Sequence, residues 1–298
     1  METRWGDPPL ERQLPTRLAQ LCAHLVVALV ALVGIGGATR VMEAGLACPD
    51  WPLCYGSLLP GGRMNMQVFL EWFHRLDAFV VGVALLVLCG VSVWQRRKLP
   101  RWLPWLSALA LALVMVQGGL GALTVLALLP SAVVTAHLAT ALLLVGVLSA
   151  ASQQLLHADL PQHNGKTPWM WLTASAASLI AVLAQCLLGG AMATQWAAER
   201  CLTSGIACQW LGAHRHTATI VAIAVAIQAA LSLTAGLRPV VRGLSLTAAA
   251  LVLVQLVLGI SSLHLQLQAP LITVAHQVTA ALLVAVLTAG LSREVAHG

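Results

Sequence analysis

The chain has 298 residues, of which 59% are hydrophobic and only 9% charged, with a formal net charge of +6. A soluble domain carries about 25% charged residues, and apolar runs of about 20 residues, enough to cross a bilayer, recur along the length; a soluble core is excluded and an all-α polytopic membrane protein is predicted. The basic excess does not point to nucleic acid, because Arg and Lys concentrate on loops at one side of the predicted bundle.

In chain order, eight spans are predicted, at about 18–39, 67–94, 102–127, 131–153, 169–193, 211–234, 244–263 and 270–291. The polar stretch before the first span has no A-x-A-like cleavage site after the apolar run, so that run is expected to stay as a span rather than leave as a signal peptide. Several Trp (Trp94, Trp102, Trp105, Trp169, Trp171, Trp210) fall near span ends, where interfacial anchors belong. Eight spans put both termini on one side. Eleven basic residues (Arg4, Arg12, Arg17, Arg96, Arg97, Lys98, Arg101, Lys166, Arg238, Arg242, Arg293) fall on that side and five (Arg40, Arg63, Arg75, Arg200, Arg215) on the other. The positive-inside rule then makes both termini cytoplasmic.

The outer side holds two cysteine pairs, Cys48 with Cys54 and Cys201 with Cys208, while Cys22, Cys89 and Cys186 sit inside apolar spans as small core residues. A disulfide within each loop is the plain reading, worth roughly 2–4 kcal/mol, and it suits an oxidising outer compartment. A redox-active pair in the Pro-stiffened 48–54 loop is the sharper alternative. No fourth-ligand spacing favours zinc.

The chain repeats itself. Gln117-x-x-x-Gly121, Gln185-x-x-x-Gly189 and Gln255-x-x-x-Gly259 occur in spans three, five and seven, with Gly37 at the matching place in span one and Val33 where the glutamine would be. The sequence around His137 aligns with that around His276, and His74-Arg75-Leu76-Asp77-Ala78 with His214-Arg215-His216-Thr217-Ala218. Two pseudo-symmetric four-helix bundles are predicted, 1–153 and 154–298. Each crosses an even number of times, so the repeats are parallel.

The repeat sorts ten histidines. His157, His163 and His297 fall on cytoplasmic segments, His264 in an outer loop and His24 near an inner helix end. His74, His137, His214 and His276 each lie about two turns into an even-numbered span. Two per half, expected on neighbouring helices, suit bis-imidazole ligation of a heme iron between them. The alternative is histidine as interhelical polar glue; a metal such as copper lacks the usual companions. His216 points about 200° away from His214 on an ideal helix, so the register favours His214.

The halves differ beside these histidines. Glu71, three residues before His74, shares its helix face, and its counterpart is Leu211; Asp77 is matched by Thr217. Chemistry that moves protons needs a carboxylate whose pKa burial can tune, so reaction is assigned to the first half and cofactor to the second. The alternative for Glu71 is an ion pair with Arg75 one turn on. Arg75 and Arg215 each follow a candidate ligand and are suited to hold a heme propionate or to snorkel to the interface.

Cys48-Pro49-Asp50-Trp51-Pro52-Leu53-Cys54 followed by Glu71-Trp72-Phe73-His74-Arg75 resembles the first outer loop and second span of bacterial heme A synthases, as do the eight spans and the second cysteine pair. The resemblance implies oxidation of the C8 methyl of heme O to a formyl group, through successive hydroxylations, to give heme A for terminal oxidases. It implies His74 and His137 around the substrate heme, His214 and His276 on a heme b cofactor, Glu71 as the catalytic carboxylate, Cys48 and Cys54 as a functional pair and Cys201–Cys208 as a structural disulfide. The implied setting is the bacterial inner membrane. The expected partners are heme O, a heme O synthase, an electron donor, lipid and, as one arrangement, a homo-oligomer. The runner-up is a diheme b-type electron-transfer cytochrome, which needs the four histidines but not Glu71; a transporter built on parallel or inverted repeats ranks third.

Overall fold

The computed structural model describes residues 10–157 and 168–295. Arg4, Lys166, His163 and His297 lie outside the described residues, as do the side chains of Arg12 and His157. Nine α-helices follow in order among the described residues: α1 Leu10–Val41, α2 Met66–Trp94, α3 Leu103–Leu126, α4 Ser131–His157, α5 Trp169–Thr194, α6 Ala197–Ser204, α7 Cys208–Thr234, α8 Pro239–His264 and α9 Pro270–Val295. All but α6 are long and apolar enough to cross a membrane. The protein is therefore a multi-pass membrane protein, and its spans agree with the sequence reading to within a few residues at most ends.

Local chemistry sets the boundaries. Asn65 caps α2, its side chain accepting from the Val68 backbone N–H at 2.9 Å. Proline opens the first turn of α3 and α8, where a missing N–H costs nothing. The short α6 escapes sequence reading because it is one amphipathic stretch of two turns: Ala197 and Ala198 are buried, Glu199 and Arg200 exposed. It ends at Gly205, whose φ of +70° lets Gly205 and Ile206 donate back to the carbonyls of Cys201 and Arg200.

The helices close into two rings. In the first, α1 packs on α2, α2 on α3, α3 on α4 and α4 on α1; in the second, α5 packs on α7, α7 on α8, α8 on α9 and α9 on α5. The seam joins α4 to α9, α1 to α9 and α4 to α5, the pairing a two-fold relation between the rings requires. Side chains repeat it. A Cβ on Gly37 of α1 would collide with Gln277, the residue after His276, and one on Gly190 of α5 would collide with Leu138, the residue after His137. At the centre of the seam Ser149 donates to the Ala285 carbonyl at 2.7 Å, while Thr288 packs against Gly146.

Burial is uneven along the helices. The core is built from residues such as Leu25, Leu85, Leu103, Leu144, Leu148, Val225, Val284 and Leu287, all in the half of the bundle nearer the termini. In the half nearer the disulfides, no residue of 72–80, 111–124, 131–140, 183–195, 212–220, 253–261 or 270–278 is fully buried. The four candidate histidines stand at this loosely packed level.

Candidate functional site

Each histidine leans on a glycine of an adjacent helix. A Cβ would meet the imidazole Cε1 at 3.2 Å from Gly36 for His74, 3.6 Å from Gly121 for His137, 2.9 Å from Gly189 for His214 and 3.2 Å from Gly259 for His276. The counterpart of Gly189 in α1 is therefore Gly36, not Gly37 as the sequence spacing suggested; Gly37 faces the seam instead, as Gly190 does. The doublets Gly36-Gly37 and Gly189-Gly190 serve two neighbours at once, and a spacing rule cannot tell which glycine faces which.

The histidines of one half sit on α2 and α4, or on α7 and α9. These helices are diagonal in their rings rather than neighbours, which corrects the sequence expectation. His74 and His137 lie within electrostatic range of each other, as do His214 and His276. Nδ1 of His74, His137 and His276 is buried without a hydrogen-bond partner. Orphaned nitrogens on diagonal helices at a loosely packed level, with glycines against the rings, fit a flat macrocycle whose iron takes two imidazoles. Among the described residues no group of three or more His, Cys, Asp and Glu is placed to hold a bare metal ion.

Two of the four rings have a further contact, and a third has the same residues beside it. Gln185 donates its amide to His214 Nδ1 at 3.1 Å and to the His214 carbonyl at 2.8 Å, and accepts from Thr217 at 2.6 Å. Gln255 lies 3.3 Å from Nε2 of His276. Gln117 accepts from Thr140 at 2.6 Å, on the helix whose Gly121 stands against the His137 ring. Each glutamine is four residues before the contacting glycine, and Thr140, Thr217 and Thr279 each follow their histidine by three. The sequence shows this Gln-x-x-x-Gly against His-x-x-Thr module, but its meaning needs the helix pairing.

His216, in contrast to the half-buried His214, is exposed, and so is Arg215. Arg75 has a quite different environment. Its Nη1 donates to the carbonyls of Asp50 and Leu53, both at 2.6 Å, and its Nη2 to the Cys48 carbonyl at 3.1 Å and to Glu71 Oε1 at 2.5 Å. The expected propionate clamp is thus, in this structure, the pin that holds the 48–54 loop to α2. Glu71 is 5% exposed and completes the pin, its Oε2 accepting from the Cys48 N–H at 2.8 Å. The Glu71–Arg75 ion pair considered from sequence is formed, and it is tied to the loop as well.

Both disulfides are present, Cys48–Cys54 and Cys201–Cys208. The first is buried, at 0% and 2% exposure for its two cysteines, and packs with Val68, Ala47 and Trp72. The second joins α6 to the start of α7, with Cys208 exposed. Asp50 closes the first loop, accepting from the backbone N–H of Tyr55 at 2.6 Å and Gly56 at 2.7 Å. The Gly56 N–H above all, with Tyr55 and the Arg75 charge, holds its carboxyl below the usual range. A cavity of about 430 Å³ opens on the α4–α5 seam, lined by Ser131, Thr135, Ala139, Leu187, Ala191 and Gln195 among others; it lies beside the histidine sites, not between their rings.

A family model described as COX15-CtaA, cytochrome oxidase assembly protein, matches residues 19–288. The chain belongs to this family. Among its relatives, a heme A synthase of Shewanella oneidensis is 30% identical over 210 residues, covering 62% of this chain and 59% of the relative. One from Sphingopyxis alaskensis is 30% identical over 209 residues, 59% of this chain and 58% of the relative. One from Lysinibacillus sphaericus is 38% identical over 99 residues, 32% of this chain and 31% of the relative. The matches to the first two thus span somewhat over half the length of those relatives. The family match takes in the first disulfide loop, Glu71 and all four histidines of the two rings.

Proposed function

We propose that the protein is a heme A synthase, oxidising the C8 methyl of heme O to a formyl group by two successive hydroxylations and loss of water. The observation that carries this reading is a buried carboxylate, Glu71, one turn from a histidine site in one ring and replaced by buried Leu211 in the other. The heme A synthases among its relatives support it.

In this reading the half 1–153 takes the substrate, with His74 and His137 on either side of heme O, and the half 154–298 holds heme b between His214 and His276. Heme b, when bound, supplies a one-electron carrier. The chain supplies the rest. Glycines at 36, 121, 189 and 259 let the rings stand upright against their neighbours. Gln185 and Gln255 fix the second pair. Glu71 places a carboxylate where a proton can be taken from or returned to a group at the substrate edge, a role worth roughly 10²–10⁴ in rate. Arg75 holds that carboxylate and the Cys48–Cys54 loop in one unit, which supports a functional role for the pair, while Cys201–Cys208 staples α6 to α7. The cysteine loops face the oxidising outside and both termini the cytoplasm of a bacterial inner membrane, with a heme O synthase and an electron donor as partners.

The test is the heme extracted from membranes that contain this protein and a heme O producer. Heme A is expected from the wild type, with Glu71→Ala abolishing it while both hemes stay bound. Two heme b and no heme A would favour the diheme cytochrome; a protein that binds no heme would overturn both.

A further inference from the structure

Three of the four histidines are followed, three residues on, by a threonine. Two of these threonines donate to a glutamine of the neighbouring helix, Thr140 to Gln117 and Thr217 to Gln185, each at 2.6 Å. At His74 the threonine position is Asp77, and the glutamine position, four residues before Gly36, is Leu32. Leu32 packs on the apolar core and offers a carboxylate nothing. Among the described residues the Asp77 side chain makes no hydrogen bond or ion pair. On an ideal helix it points within about 40° of Val81 and about 20° of Leu88, both buried, and away from the exposed Phe79, Val83 and Leu86. Asp77 therefore belongs to the inward flank of α2, and it stays half-buried because it stands at the loosely packed level of His74. A carboxyl inside a span is costly without a partner and marks a functional place.

We infer that Asp77 is the specificity residue of the first ring, its carboxylate accepting a hydrogen bond from the hydroxyl on the isoprenoid side chain of the substrate heme. Heme O differs from heme b in one substituent: a vinyl is replaced by a long isoprenoid chain whose first carbon carries a hydroxyl. That substituent lies on the edge of the macrocycle away from the two propionates. The propionates are anionic and belong toward the disulfide side, the nearer water for histidines at this level. The opposite edge then faces the middle of the bilayer, and Asp77 lies that way from His74, about 4.5 Å along the helix. Glu71 lies the same distance toward the propionate edge, beside which the C8 methyl stands. The second ring has Thr217 at the Asp77 position, already engaged with Gln185, and suits a heme with an apolar vinyl there. A polar group built to meet a hydroxyl discriminates against the analogue without one, because the group is then left unpaired. The inference rests on the assignment of heme O between His74 and His137.

Competition between two hemes for the full-length protein tests it by binding rather than turnover. The probes are heme b and its analogue with a 1-hydroxyethyl group in place of that vinyl, which separates the hydroxyl from the isoprenoid tail; the first-ring heme is the one lost in His137→Ala. The wild-type first ring is expected to favour the hydroxyl analogue by about tenfold to a hundredfold, the range for a hydrogen bond to a charged group. Asp77→Leu should lose that preference while still binding a heme, and Asp77→Asn, which keeps an acceptor, should recover part of it. In membranes with a heme O producer, Asp77→Leu should likewise lower heme O and heme A, counted together, and raise heme b. A wild-type first ring that takes the two probes equally overturns the inference alone, as does an unchanged preference in Asp77→Leu or a first ring there that binds neither probe. Absence of any heme dependent on His74 and His137 in the wild type overturns the functional reading and this inference with it.

Discussion

The two rings are built on one plan and differ where the plan meets the disulfide side. In the first, Glu71 and Arg75 are buried or nearly so and locked to a disulfide loop by hydrogen bonds to Cys48, Asp50 and Leu53. In the second, Leu211 is buried, Arg215 is exposed and the disulfide lies on an exposed helical corner. The same helix-pair geometry holds an imidazole in both, so the difference is not in binding a flat ligand. It is in what surrounds that ligand: one ring carries an ionisable pair and a buried disulfide, the other an apolar cover. The repeated helix arrangement is the frame, and the departures from symmetry mark where reaction, rather than binding, is expected.

Changing the acid should break the comparison most severely. Glu71→Gln keeps an acceptor for the Cys48 N–H and removes the charge; heme A formation is expected to fall at least about a hundredfold, measured as product per bound heme, with both hemes retained. Leu211→Glu in the other ring should create no second activity. An equal loss of bound heme in Glu71→Gln would make the residue structural.

Next comes the arginine pair. Arg75→Ala leaves the Glu71 carboxylate buried without its cation, and losses of about 3–5 kcal/mol are usual for such a break. Thermal unfolding in detergent should show a large drop for Arg75→Ala and almost none for Arg215→Ala. A comparable drop for both would mean that Arg215 has a partner of its own weight.

The disulfides sharpen the contrast in a third way. Thiol–disulfide exchange requires access to a sulfur, so Cys201–Cys208 should be reduced and labelled well before Cys48–Cys54, and Arg75→Ala should bring the two rates together. Simultaneous reduction in the wild type would contradict the pinned loop.

These contrasts were legible in the sequence to different depths. Eight spans followed from hydropathy alone, because a lipid-facing helix has no cheaper way to satisfy its backbone. The four histidines followed from the repeat, as did the preference for His214, which faces Gly189 and Gln185 where His216 is exposed. The Glu71–Arg75 pair was legible from its spacing, but the loop contacts of Arg75 were not, because they are to backbone carbonyls, which a sequence does not display. The Gly36 register failed for a related reason: Gly36 and Gly37 are equivalent until one knows that α2 lies on one side of α1 and α9 on the other. The diagonal placement of the histidines required the ring order of the helices.

The smallest expected effect concerns Asp50, which lies outside the spans. Its folded-state pKa is held down, chiefly by the Gly56 N–H, so its contribution to loop order is fully present above the ordinary aspartate value of about 3.9 and is lost as pH falls through the lower folded value. Labelling of Cys48 and Cys54 by a reductant and thiol reagent active at low pH should rise only below the ordinary range. Asp50→Asn should remove that dependence and leave the second pair unchanged.

The central claim, one ring for substrate and one for cofactor, is tested most directly by heme content after production with a heme O source. His214→Ala and His276→Ala are expected to lose heme b and keep the heme of the first ring, whereas His74→Ala and His137→Ala should keep one equivalent of heme b and lose heme O and heme A. Heme b lost alike in all four variants, or retained in the second-ring pair, would contradict the account.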